Sequence, residues 1–364
     1  MRLRLLLILL LGLARPLHAQ GIEEQYRGIF SVAALGLPGP SVGLVSSYTL
    51  LYRGLMGHAA FAVAREPSGR SAWGYANGAP TPDQAEANAL DRCRRALGPV
   101  QAECRILARD AGLAGGPSVP LVQGSLGPFR WAPMLLRRGP QAARGVVIWS
   151  HGYGGPERDY RAAPTPGFVS ILNDAGWDVL RFDRNPAEDA LYTSLPRLVD
   201  GLRAVRAAGY RRIVLGGQSR GGWQSIMAAG AHPDWVEAVI ATAPAAHGEA
   251  SRANNLVSGL DDFRRLLAGL PAGGPRLAVA VFDGDDFDPD PETRAKLLDE
   301  ASHLRRAPVL VLWPDGAQPA PIRGHGGGSD WRFTTLYGAC LLTLVDSPEA
   351  AAPRGLRRAP CGGG

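Results

Sequence analysis

The sequence predicts an α/β protein in which a doubly wound, mainly parallel sheet is preceded by a small ββαβ domain. Three observations point there. From Phe129 onward, short β-branched runs alternate with longer amphipathic stretches, the rhythm of strands joined by crossover helices. One run, Arg212-Ile213-Val214-Leu215-Gly216, passes through Gly217-Gln218-Ser219-Arg220-Gly221 into a helix-like segment at 222–229. Before residue 112, two strand-like runs and a capped helix stand close together, set off by a Gly/Pro-rich stretch.

The first 19 residues are a separate matter. Arg2 and Arg4 precede an apolar run at 5–13, and Leu17-His18-Ala19 ends in a small residue. That pattern predicts a secretory signal peptide cleaved near Ala19-Gln20; the run is shorter than the roughly 20 residues a membrane-spanning helix needs. The expected location is periplasmic or secreted, with no transmembrane segment after cleavage. Removing Arg2, Arg4 and Arg15 takes three charges from the formal +6, so the basic balance weighs little. The remaining cations are arginines scattered among acids, with Lys296 the one lysine, and no basic stripe interleaved with aromatics is present. Nucleic acid is therefore not an expected partner. Export also permits disulfides. Among three possible connectivities, the neighbour pairs Cys93–Cys104 and Cys340–Cys361 staple each region locally, and no cysteine has metal-ligand company.

Taken in order, residues 20–47 are rich in glycine, proline and small side chains and are expected to be a flexible leader with little regular structure. The small domain spans 48–111. Within it, 59–64 and 71–75 read as paired strands about the turn Pro67-Ser68-Gly69. Thr81, Pro82 and Gln84 form a helix start with a capping-box pattern. Leu90, Cys93 and Leu97 share one face of that helix, and 104–107 is a short strand. A linker is expected at 112–128. Beyond it, strands are predicted at 129–136, 145–149, 177–182, 212–216, 236–241, 277–282 and 309–313. Helices are predicted at 168–175, 195–208, 221–231 and 292–306.

The chemistry gathers at strand ends, where open α/β sheets place their reacting groups. A serine between a strand and a helix in G-x-S-x-G reads as a nucleophile elbow, a turn so tight that side chains two positions either side would collide with backbone. A serine hydroxyl needs a base oriented by a carboxylate, and the order expected with this elbow is serine, acid, histidine. Of seven histidines, His325 fits, in the glycine loop Arg323-Gly324-His325-Gly326-Gly327-Gly328 after the last predicted strand. His151 precedes the serine and is expected to hold its loop by hydrogen bonds. The acid falls within Phe282-Asp283-Gly284-Asp285-Asp286-Phe287-Asp288-Pro289; Asp286 is the first choice, followed by Asp283 and Asp288. Such a turn also suits calcium, but the D-x-[DN]-x-[DN]-G spacing is missing. The oxyanion donors are expected to be the N–H groups of Arg220 and of Tyr153, the latter in His151-Gly152-Tyr153-Gly154-Gly155.

These residues resemble the α/β-hydrolase family over about 129–345. The His-Gly-Tyr-Gly-Gly loop and the Gly-Gln-Ser-Arg-Gly-Gly elbow are similar to the esterase and dienelactone-hydrolase-like branches, and the hydrolase domain is expected to run over 129–364. The resemblance implies a Ser219–His325–Asp286 triad, no cofactor and a small-molecule ester as substrate. Arg220 departs from the family pattern; it suits either an anionic substrate group or a local salt bridge. Residues 243–275 leave room for a small lid only. The small domain also resembles Trp-Gly-containing units of exported bacterial proteins, which implies packing or contact with the cell envelope or a polymer. A peptidase or amidase using the same triad, and a non-catalytic envelope-binding protein, are the rival readings.

Overall fold

The computed structural model describes residues 41–116, 119–252, 254–314 and 321–361. The expected signal segment and residues 20–40 of the leader lie outside these.

The described chain begins with a helix where little regular structure was expected. α1 (Val42–Ser46) is capped by Ser41, whose Oγ accepts the Leu44 N–H at 3.3 Å, and it runs on through single turns at Ser47–Leu51 and Tyr52–Gly54. The cause is burial: Leu44, Tyr48 and Tyr52 recur every fourth residue and are fully buried, the period of one helical face. The Tyr48 and Tyr52 rings stack on each other and both meet Phe61 edge-on.

Phe61 lies on β1 (His58–Arg65), which pairs antiparallel with β2 (Ser71–Ala79) and β3 (Arg105–Arg109); β4 (Gly112–Leu113) closes the sheet in the order β2-β1-β3-β4. α2 (Pro82–Arg95) crosses this sheet, its start fixed by Thr81 Oγ1 accepting the Gln84 N–H at 3.2 Å. Gly74 of β2 lets the helix come close, since a Cβ there would stand 2.4 Å from the Cys93 nitrogen. The expected Cys93–Cys104 disulfide ties α2 to the approach to β3.

The large sheet has nine strands in the order β13-β12-β11-β10-β9-β7-β8-β6-β5. Its parallel body comprises β7 (Gly145–Ser150), β8 (Trp177–Phe182), β9 (Ile213–Gln218), β10 (Ala238–Thr242), β11 (Arg276–Ala280), β12 (Val309–Leu312) and β13 (Gly355–Arg357). β5 (Ser125–Leu126) and β6 (Phe129–Trp131) join antiparallel at one edge, so part of the expected linker belongs to the sheet. β6 stops at Trp131 instead of reaching residue 136, because Pro133 carries no N–H for a ladder.

Alternate residues of the central strands feed two cores. Val146, Ile148, Ile213 and Leu215 face α4 (Leu191–Ala207), α5 (Arg220–Ala231), α6 (Asn255–Ala268) and α7 (Pro291–His303). Val147, Trp149 and Val214 face α3 (Gly167–Asp174) and α8 (Trp331–Asp346). Each fully buried aliphatic side chain of this kind stabilises the fold by about 1.5–3 kcal/mol, which pins the strand register. The Cys340–Cys361 disulfide fastens α8 to the C-terminal segment. In the stretch expected to form a small lid, α6 buries Phe263 and Leu267 in the first core, so it is a structural helix.

Candidate active site

Ser219 stands between β9 and α5 with φ 54° and ψ −124°, a backbone conformation that L-residues adopt at a cost of about 1–3 kcal/mol. Two glycines permit the bend. A Cβ on Gly217 would stand 2.2 Å from the Gly221 carbonyl carbon, and one on Gly221 would stand 2.2 Å from the Ser150 oxygen. The serine backbone is tied on both sides, its N–H donating to Thr242 O and its carbonyl accepting from Trp223 N–H, each at 3.0 Å. Arg220 is the first residue of α5, so its N–H has no partner inside the helix and points where an anion would gather.

His325 comes from the loop after β12 and meets an acid from the loop after β11. Its Nδ1 lies 2.8 and 2.9 Å from the two carboxylate oxygens of buried Asp285. A carboxylate accepts, so Nδ1 carries the proton and Nε2 presents a lone pair. That Nε2 is buried and has no hydrogen-bond partner among the described residues. Gln218, next to the serine, donates from Nε2 to the His325 carbonyl at 3.1 Å, and Ser219 and His325 line one cleft. Phe287 packs against the imidazole with ring centroids 4.2 Å apart.

Asp285, then, and not Asp286, partners the histidine. Gly284 at φ 67° turns the chain so that Asp285 folds inward, and its Oδ1 also accepts the Phe287 N–H at 2.9 Å. Asp286, one residue on, is exposed. The other two candidates have their own occupations: Asp283 accepts from Trp313 Nε1 at 3.1 Å, and Asp288 pairs with Arg294 at 2.5 Å, burial holding its carboxyl above the usual range. Four carboxylates within six residues look alike in sequence; the one signal pointing to Asp285 was the glycine immediately before it.

The loop after β7 is braced by His151, as expected, and by Arg184 and Asp189, which the sequence left unremarked. His151 is buried; its Nδ1 donates to Gly152 O at 2.6 Å and its Nε2 accepts the Arg184 N–H at 2.9 Å. Both ring nitrogens are thus in use by the neutral form. Burial, then the nearby Arg184 guanidinium, pull its pKa from 6.5 down to about 4. Arg184 itself is buried and pairs with Asp189 at 2.8 Å, while its guanidinium donates to His151 O at 2.5 Å. Its position two residues past the end of β8, beside the loop after β7, was the available signal. Asp189 also accepts from Ser194 Oγ at 3.1 Å, and Gln224 Nε2 donates to that hydroxyl at 2.6 Å.

Arg220 closes the same circuit. Its guanidinium lies 3.7 Å above the Tyr153 ring centroid and donates to the Asp189 carbonyl, and no carboxylate among the described residues lies within 4.0 Å of it. Of the two roles left open for Arg220, a local salt bridge is not present among the described residues; a ring and a carbonyl meet the guanidinium. The stacking holds Tyr153, whose backbone is one of the expected oxyanion donors, beside the residue expected to supply the other. The cleft around these groups has a volume of about 920 Å³, within the range that holds a small-molecule ligand.

A mainly parallel sheet of this order, with a strained serine at the strand–helix bend after β9 and an acid–histidine pair from the following strand ends, is the α/β-hydrolase fold. No protein-family model and no curated protein matches the chain. Among solved structures it is similar to a protein described as a predicted CIB-like hydrolase from Thermoplasma acidophilum, at 18% identity over 59% of this chain and 91% of that one, with a TM-score of 0.38. It is also similar to Est1E from Butyrivibrio proteoclasticus, at 15% identity over 58% of this chain and 88% of that one, TM-score 0.38. A third is dipeptidyl peptidase 4 of Porphyromonas gingivalis, at 15% identity over 56% of this chain, TM-score 0.41; there the match spans 31% of the longer protein.

Proposed function

We propose that the protein is an exported serine hydrolase that cleaves carboxylic esters of small to moderate size through Ser219, His325 and Asp285. One observation carries this: the His325 ring is clasped by Asp285 at Nδ1 while Nε2 is buried, without a partner among the described residues, and in the same cleft as the strained Ser219. Nε2 takes the serine proton as Oγ attacks the ester carbonyl. The N–H groups of Arg220 and Tyr153 hold the tetrahedral oxyanion. His325 then protonates the leaving alcohol, and water, activated by the same nitrogen, releases the acid from the acyl-enzyme. Two disulfides support the oxidising compartment that export implies.

Turnover of p-nitrophenyl butyrate by wild type and by Ser219→Ala tests the assignment. The variant is expected to lose about 10⁴–10⁶-fold in kcat; equal turnover would refute it. Peptide p-nitroanilides run alongside separate an esterase from a peptidase, since the same three groups cleave amides; the ester is expected to be the better substrate by a wide margin.

A further inference from the structure

The N-terminal unit reaches the cleft. Leu51 and Leu55, from the turns that follow α1, and Tyr75 of β2 line the same cavity as Ser219 and His325. They come with Pro164 and Pro166 of the stretch before α3, which are part of the same lining. Polar side chains line the other sides, Arg158 and Tyr160 from the stretch after β7 and His247, Glu249 and Arg252 from the loop after β10.

This wall is built in. The Gly54 carbonyl accepts the Thr165 N–H at 2.9 Å, and a Cβ on Gly54 would stand 2.2 Å from the Thr165 oxygen. Next to it, buried Arg53 pairs with Asp174 at the end of α3 at 2.6 Å. Leu44, Tyr48, Tyr52, Leu55 and Phe61 share one apolar core with Met134 and Leu136, which follow β6. Tyr75 is itself fixed, stacked on Phe61 with ring centroids 6.0 Å apart. A hinged lid needs a face that separates readily; this one is bonded backbone to backbone and filled with aromatic rings.

We infer that the N-terminal unit supplies, within the same chain, the apolar specificity wall of the substrate cleft, and that the preferred substrate carries a chain- or ring-bearing apolar group lying against Leu51 and Tyr75, with Leu55 packed behind them. The inference rests on the serine-hydrolase reading and adds the chemistry of the substrate to it. Leu51 is the residue to change, because it is partly buried at the cleft surface whereas Leu55 is fully buried. Leu51→Trp fills the space that the apolar group would occupy.

Two ester series are measured: p-nitrophenyl octanoate against p-nitrophenyl acetate, and 1-naphthyl acetate against ethyl acetate. The expected result for Leu51→Trp is a fall of about tenfold in the bulky-to-small ratio of kcat/KM, in whichever series places its apolar half on the wall. Val42→Trp, exposed on the same unit and outside the cleft lining, is expected to keep the wild-type ratios. Ratios in Leu51→Trp equal to wild type in both series would overturn the inference, as would an equal shift in Val42→Trp. Failure of the wild type to hydrolyse any of the four esters would instead overturn the hydrolase reading, and the wall with it.

Discussion

Two histidines line one cleft with one serine, and they are wired in opposite ways. His151 has both ring nitrogens in hydrogen bonds, one to its own loop's carbonyl and one from the Arg184 backbone. His325 has one nitrogen held by Asp285 and the other buried with no partner among the described residues. The first arrangement freezes a neutral ring as a strut. The second orients a ring and leaves a lone pair for a proton. Proximity to the nucleophile does not make a base; an unspent nitrogen backed by a carboxylate does.

The sharpest way to break this comparison is to remove each ring in turn. His325→Gln is expected to lower kcat by about 10⁴–10⁶-fold, whereas His151→Gln, which disturbs the oxyanion loop, is expected to cost no more than about 10²–10³-fold, the worth of one oxyanion donor. Equal losses in steady-state ester assays would erase the distinction. The next effect concerns the carboxylate. Asp285→Asn should lower kcat by about 10⁴-fold through loss of the correct tautomer, while exposed Asp286→Asn should stay within about threefold; the reverse order would reinstate Asp286.

A third effect is on stability. Arg184→Met leaves buried Asp189 without its cation and removes the guanidinium bond to the His151 carbonyl, while the backbone N–H bond to the ring remains, so unfolding in urea is expected to show a loss of about 3–5 kcal/mol. The smallest effect is on the pH dependence of stability through His151. His151 has a folded pKa near 4 against 6.5 when free, so between these values the unfolded chain binds a proton that the folded chain refuses. Its contribution is complete above about pH 6.5 and is lost as pH falls toward 4, on the order of 3 kcal/mol in all. Asp288 runs the other way, since burial raises its pKa and its protonation favours the fold in acid. His151→Gln is therefore expected to lose less Tm than wild type between about pH 7.5 and pH 4.5; equal losses would remove the strut assignment.

The sequence made the elbow legible because its constraint is local. Gly217 and Gly221 are required by contacts within a few residues of Ser219 and with the adjoining β7, and the flanking strand and helix announce themselves by pattern. Thr81 as a helix cap and the two neighbour disulfides are legible for the same reason. The choice among aspartates was not, because it depends on the sign of one backbone angle at Gly284. Nor was the role of Arg184, which arises from two loops 33 positions apart meeting at the sheet edge. The helix at Val42–Ser46 escaped because its anchors, Tyr48 and Tyr52, find their partner Phe61 in another element. Pattern shows what a segment will form, and tertiary contact shows which of several equivalent side chains is used.

The central claim, that an unspent nitrogen of His325 activates Ser219, is met most directly by covalent labelling. A fluorophosphonate probe followed by peptide mass mapping should place one adduct on Ser219 in wild type. The labelling rate should collapse in His325→Gln and persist in His151→Gln. An adduct on another residue, or a Ser219 rate indifferent to the loss of His325, would contradict it.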